Sequence, residues 1–181
     1  MNIDEIADRL EEHHEGCVLG RFGEPAKDPY VRIAPESLVA VMRTLREDSD
    51  LGFDLLLLIS GVDWSAWEPK MPRVKKGEEP PPEPEAPTTR FEVVYHLLST
   101  SRNHRLVVKV ACADDETPTL DTLCNVYPAA NWLERETWDL MGIDFVGHPD
   151  LRRILCAEDW VGHPLRKDYE FPKEYHGISA E

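Results

Sequence analysis

Residues 91–111 read FEVVYHLLSTSRNHRLVVKVA, and the fold turns on this stretch. Two runs rich in Val, Leu, Phe and Tyr flank a polar segment, Ser99 to His104. β-Branched and aromatic side chains suit a pleated, half-buried surface, and the polar segment between them suits a turn. The stretch predicts a β-hairpin with arms Phe91 to Leu98 and Arg105 to Ala111. Side chains alternate along a strand, so Leu106, Val108 and Val110 share one face and Val107 and Lys109 the other.

Upstream, Phe53 to Val62 is apolar on both faces and predicts a central strand. Cys17 to Phe22 and Tyr30 to Ile33 predict two short strands around a Gly/Pro/Asp turn. Asn2 to His14 predicts a helix, with Ile3, Ile6, Ala7 and Leu10 on one face and Asn2 and Glu5 at capping-box spacing. A second helix opens near Pro35 and carries Leu38, Val41, Met42 and Leu45 as its apolar stripe. Downstream, Thr117-Pro118 is a helix-start pair. The predicted third helix passes Leu120 and Leu123, bends near Pro128, and runs to Met141, where Gly142 stops it.

The expected class is α+β: a mixed, mainly antiparallel sheet with helices packed on it, plus an extended, irregular C-terminal tail. Residues 1–63 and 91–146 form one domain. Residues 64–90 hold seven of the fifteen prolines and predict a flexible surface insertion, since consecutive prolines cannot join a hydrogen-bond ladder. Residues 147–181 are the tail.

At 181 residues the chain fits one domain with extensions. Its net charge of −15 argues against non-specific nucleic-acid binding and against docking on anionic lipid. The four cysteines are widely separated with no Cys-x-x-Cys pair, the usage of a reducing compartment rather than a disulfide framework. The first nine residues lack the apolar run of a signal peptide, and Leu55 to Ile59 is far too short to span a bilayer. The expectation is a soluble chain, attached to a membrane only through other proteins.

Catalytic signatures are missing. There is no glycine-rich phosphate loop, no Gly-x-Ser-x-Gly and no His-Glu-x-x-His. Asp114, Asp115 and Glu116 precede the predicted helix cap and suit its dipole better than a metal. His148 and His163, each in Gly-His-Pro, are the best ligand candidates. With Cys156, Glu158, Asp159 and Asp168 around them they still follow no metal-site spacing. At 100° per residue Leu133, Thr137, Leu140 and Met141 form an apolar stripe that includes Glu136, while Arg135 and Asp139 face away as a pair. A core-facing Glu136 needs a partner, and Arg152 or Arg153 of the tail are the candidates. A general base of raised pKa is the alternative.

The tail itself predicts docking. Pro149, Pro164 and Pro172 keep it out of helix and sheet. Arg152, Arg153 and Arg166 can fork to carboxylates or carbonyls. Phe145, Trp160, Tyr169, Phe171 and Tyr175 are interface-type anchors. Packing of the tail on its own domain is the competing reading.

The segments ERETWDLMGIDF from Glu134, GHPDLRRIL from Gly147 and EDWVGHPLRKDY from Glu158 have the internal spacing of a known family. They resemble the C subunit, the 30 kDa-type peripheral-arm component, of respiratory complex I, the NADH:quinone oxidoreductase. Ile59-Ser60-Gly61-Val62-Asp63 is also similar to a strand end of that family. The insertion at 64–90 is longer than the usual connection. The resemblance implies a non-catalytic structural subunit of the hydrophilic arm of a proton-pumping enzyme, peripheral on the cytoplasmic side of the bacterial inner membrane. Its implied partners are the D and B subunits of complex I and other peripheral-arm subunits. NAD, FMN, iron-sulfur clusters and quinone belong, by the same implication, to those partners and not to this chain. The implied docking residues are Glu134, Arg135, Glu136, His148, Arg152, Arg153, Asp159, Trp160, His163, Arg166, Lys167 and Tyr169. The alternative is the equivalent component of a membrane-bound nickel-iron hydrogenase or formate hydrogenlyase.

Overall fold

A computed structural model describes residues 2–23, 29–68, 87 and 89–179. Most of the proline-rich insertion lies outside the described residues.

The hairpin forms as expected. Strands β4 (Phe91–Ser99) and β5 (His104–Ala111) pair antiparallel, with Tyr95 opposite Val108. Around it stand β1 (Val18–Phe22), β2 (Tyr30–Ile33) and β3 (Leu55–Asp63). The five-stranded sheet has the order β1-β2-β5-β4-β3, antiparallel except for β2 beside β5. It is therefore a mixed, mainly antiparallel sheet, and the class is α+β.

Two helices cover one face. Helix α1 (Ile3–His13) starts on the capping box: Asn2 and Glu5 each accept the other's backbone N–H. It buries Ile6, Ala7 and Leu10. Helix α2 (Leu38–Glu47) follows a single 3-10 turn at Pro35–Ser37 and buries Leu38, Val41, Met42 and Leu45. They meet Val31, Ile33, Leu56, Ile59, Val93, Tyr95, Leu97, Leu106, Val108 and Val110 in one core.

Three expectations are corrected. Strand β3 is an edge strand, not a central one. Leu55, Leu57 and Leu58 remain 40–44% exposed, so its two-sided apolarity does not reflect two buried faces. The Thr117 start opens no helix. Asp114 accepts the N–H groups of Glu116 and Thr117 in a turn, and β6 (Thr119–Asp121) then pairs in parallel with β7 (Asp144–Val146). The ladder offered by β7 outweighs the weak local helix signal. Helix α3 is only Ala130–Met141, closed by Gly142 in the left-handed conformation (φ 69°).

The third correction concerns the phase of α3. Glu136 is exposed, and Glu134 is the fully buried carboxylate. Two opposite sides of α3 are buried. Ala130, Glu134, Thr137 and Met141 face the sheet, where Thr137 and Met141 pack beside Gly61 of β3. Arg135 and Asp139 face the tail.

Candidate functional site: the clasp between helix α3 and the tail

From Gly147 to Tyr169 the chain has no helix and no strand, so its backbone groups need other partners. Helix α3 supplies many of them. Asp139 is the hub. Its Oδ2 accepts the successive backbone N–H groups of Ile154 (3.0 Å), Leu155 (2.8 Å) and Cys156 (2.9 Å). Its Oδ1 meets Arg153 Nη1 at 2.6 Å. Burial pushes the Asp139 carboxyl up. The N–H groups of Cys156 and Leu155, the Arg153 guanidinium and the N–H of Ile154 outweigh burial and bring it down to about 2.

Arg153 then reaches onward. Its Nη2 donates to the carbonyls of Trp160 and Gly162, both at 2.9 Å. One guanidinium thus ties a helix carboxylate to two turns of the tail, using the fork that Lys lacks. His163 Nδ1 lies 3.0 Å from the Asp139 carbonyl, which can only accept, so this nitrogen carries the proton. Arg166 donates to the carbonyls of Met141 (2.7 Å) and Gly142 (3.1 Å), closing the end of α3. The Leu165 N–H donates to the Leu140 carbonyl.

The next step down the tail returns to the sheet. Lys167 N donates to Asp63 at the end of β3 (3.0 Å). Arg90 bridges Asp63 (3.0 Å) and Asp168 (2.7 Å). Burial opposes ionisation of Asp63, but Arg90 and the N–H groups of Lys167 and Ser65 hold its carboxyl well below the usual range.

At the other end of α3, Arg135 donates to the Arg152 carbonyl (3.1 Å) and stacks on Trp132. It does not pair with Asp139. Glu134 accepts from Thr122 Oγ1 (2.5 Å) and Leu123 N (2.7 Å), not from a tail arginine. Burial pushes its carboxyl up, and those two hydrogen bonds only partly offset this. Arg152 is 68% exposed at its side chain and meets only Asp150.

The pairing of His148 with His163 as metal ligands fails on geometry. They bond to the carbonyls of Asn131 and Asp139, roughly 12 Å apart along the helix by its rise per residue. A different trio does converge. Cys124 Sγ, Glu134 and His148 place ligand-type atoms within 4.8 Å of one another. Their hydrogen bonds are already committed. Asp150 N–H donates to His148 Nδ1, so Nε2, the nitrogen facing Glu134, carries the proton and donates to Asn131 O. Cys124 donates to Glu134, and burial pushes its thiol up. Burial pushes the thiols of Cys17 and Cys112 up as well, to about 11 and about 12. Thiols held protonated are poor nucleophiles and poor ligands. The clasp ties the tail to the body of its own chain.

Among its exposed side chains the tail presents several large apolar ones. Val161 is 84% exposed, Phe171 66% and Leu165 55%, and Trp132, Leu155 and Ile178 are exposed as well. Of the residues expected to dock on a partner, Glu134, Arg135, His148, Arg153, His163 and Arg166 find their polar partners inside the chain. Lys167 uses its backbone, Tyr169 donates to the Val161 carbonyl, and Asp159 accepts from Tyr175. Trp160 packs against Tyr175, and its indole N–H is buried without an acceptor.

The family described as "Respiratory-chain NADH dehydrogenase, 30 Kd subunit" matches residues 31–175, from β2 through the clasp to Tyr175. The chain belongs to that family. A relative from Rhizobium johnstonii, named as the C subunit of an NADH-quinone oxidoreductase, is 48% identical over 134 residues, or 74% of this chain and 56% of the relative. One from Roseiflexus sp., with the same name, is 40% identical over 163 residues, or 90% of this chain and 81% of the relative. The match to the Rhizobium relative thus spans about half of that protein's length.

The family match includes Asp63, Arg90 and Asp139, three clasp residues that the sequence alone assigns to no site. Helical periodicity puts Asp139 on a solvent-facing pair, and Asp63 stands only at a strand end. Contacts such as Lys167 to Asp63 join residues 104 positions apart, and no local pattern carries that information. Among the described residues no helix is long and apolar enough to cross a membrane.

Proposed function

We propose that this chain is a non-catalytic structural subunit in the hydrophilic arm of a proton-pumping NADH:quinone oxidoreductase. Its tail docks on the D subunit of that complex, beside the B subunit, near the site of quinone reduction. The chain then sits peripherally on the cytoplasmic side of a bacterial inner membrane. NAD, FMN, iron-sulfur clusters and quinone are held by its partners.

One observation carries this reading. The tail turns Arg153, Arg166 and the Lys167 backbone inward, on α3 and β3, and leaves Val161, Leu165 and Phe171 exposed to solvent. Large apolar side chains exposed within one short stretch that lacks regular structure suit an interaction surface. Membership of a family named for a respiratory-chain subunit supports a protein partner over a small-molecule one.

The test is recovery of a tagged full chain from membranes of its own organism. The D and B subunits should come with it. Recovery of an unrelated soluble protein alone counts against the proposal, and a nickel-iron hydrogenase large subunit would move the chain to the hydrogenase branch.

A further inference from the structure

Between Asp159 and Tyr175 the tail curls back on itself around a cavity of about 400 Å³. Trp160, Tyr169 and Tyr175 form aromatic walls, and Asp159, Glu170 and Glu174 are its charged lining residues. No lysine, arginine or histidine lines it. The walls are built, not incidental. Tyr175 OH donates to Asp159 (2.7 Å), Tyr169 OH donates to the Val161 carbonyl (3.1 Å), and the Trp160 and Tyr175 rings stand 4.9 Å apart. Asp159 also meets His176. Glu170 and Glu174 make no ion pair among the described residues, and the exposed Lys173 between them in sequence stays outside the lining.

Aromatic faces carry negative quadrupole charge, and carboxylates at the rim add full negative charge. Both attract cations, and neither favours an anion or a second carboxylate. A planar guanidinium can lie against a ring face while its edge forks to carboxylate oxygens. The chain's net charge of −15 favours approach of a basic surface on the same grounds.

We propose that this cavity receives an arginine or lysine side chain projecting from the polypeptide on which the tail docks. The inference rests on the docking reading above and names its recognition chemistry: a basic peptide segment, seated by Trp160, Tyr169 and Tyr175 and neutralised by Glu170 and Glu174.

The experiment uses the isolated full chain, labelled with ¹⁵N. The Trp160 indole N–H signal is assigned as the one absent from Trp160→Phe. The chain is titrated with three blocked tripeptides, Ala-Arg-Ala, Ala-Ala-Ala and Ala-Glu-Ala. The arginine peptide should shift that signal saturably, more weakly at high salt, while the other two leave it in place. The double variant Glu170→Gln/Glu174→Gln, on positions with no ion pair to lose, should weaken this binding roughly tenfold. No shift with the arginine peptide, equal shifts with all three, or full binding by the double variant each overturns the proposal. Because no partner protein is present, failure here leaves co-purification with the D and B subunits unaffected, and failure of co-purification leaves the peptide result unaffected.

Discussion

Arg153 Nη1 sits 2.6 Å from Asp139 Oδ1, an ion pair between the tail and the helix that packs on the sheet. The Asp139 side chain is fully buried and that of Arg153 is 13% exposed. The pair is extensively hydrogen-bonded on both sides, the condition under which a buried ion pair is stable. Arg153→Ala leaves the carboxylate without its counter-charge, and the carbonyls of Trp160 and Gly162 without a donor. Breaking one side of such a pair costs on the order of 3–5 kcal/mol. The expected result is a lower urea midpoint and faster proteolysis within 150–175. Arg153→Lys should not restore the wild-type midpoint, since an ammonium cannot span the same four acceptors.

Acid should open the same clasp. Asp139 titrates at about 2 in the folded chain, below the ordinary aspartate value of 3.8. Asp63 is depressed as well. A depressed carboxylate adds stability above its unfolded pKa and loses it as pH falls through the folded value. Stability should therefore hold above about pH 4 and fall between about pH 4 and pH 2, with Asp139 contributing on the order of 2 kcal/mol. Urea unfolding at about pH 7, 4, 3 and 2.5 measures it. Asp139→Asn should be less stable at neutral pH and lose less on acidification.

Glu134 provides the opposite sign. Its carboxyl is raised by burial, so its ionisation costs stability as pH rises above the ordinary glutamate value. Glu134→Gln keeps an acceptor for Thr122 or Leu123 and removes that cost, so it should be mild. Glu134→Ala strands both donors in the core and should cost about 2–3 kcal/mol. Thermal melts of the two variants at neutral pH separate these outcomes.

Gly142 offers a steric test. It has φ 69°, and a Cβ there would land on the His163 ring and the Arg166 guanidinium. Gly16 also has positive φ (76°) but nothing lies within 4 Å of its virtual Cβ. Gly16→Ala should cost only the backbone term, about 1 kcal/mol. Gly142→Ala should cost clearly more and loosen the tail, read as a larger drop in melting temperature and increased exchange of the Leu165 and Arg166 amides.

The elements with plain alternation or a clean cap are readable in sequence: the β4–β5 hairpin, β2 and α1. The Thr117 start gives way to the β6–β7 ladder, whereas the misreadings of β3 and of the α3 phase share one cause, which is that an apolar residue need not mark a buried face. In β3 the outer leucines are exposed. In α3 the stripe of Leu133 and Leu140 points to Glu136 as the core carboxylate, while Glu134, about 160° away by helical geometry, is the buried one. A helix covered on two sides, by sheet and by tail, buries Arg135 and Asp139 as well, and its apolar period no longer reports its phase. The importance of the tail is readable from its arginines and prolines. The sequence offers Arg152 or Arg153 as partners for Glu136 of this helix; that Arg153 instead pairs with Asp139, and that Arg166 closes the helix end, follows only from the three-dimensional arrangement.

The central claim is that the outward apolar side of the tail grips another polypeptide. The direct measurement is the amount of intact complex on a native gel from cells carrying Val161→Glu, Leu165→Glu and Phe171→Glu together. These side chains are exposed, so the isolated variant should melt like the parent chain. The account predicts that this stably folded variant is absent from the assembled complex. Wild-type levels of complex containing it would contradict the account.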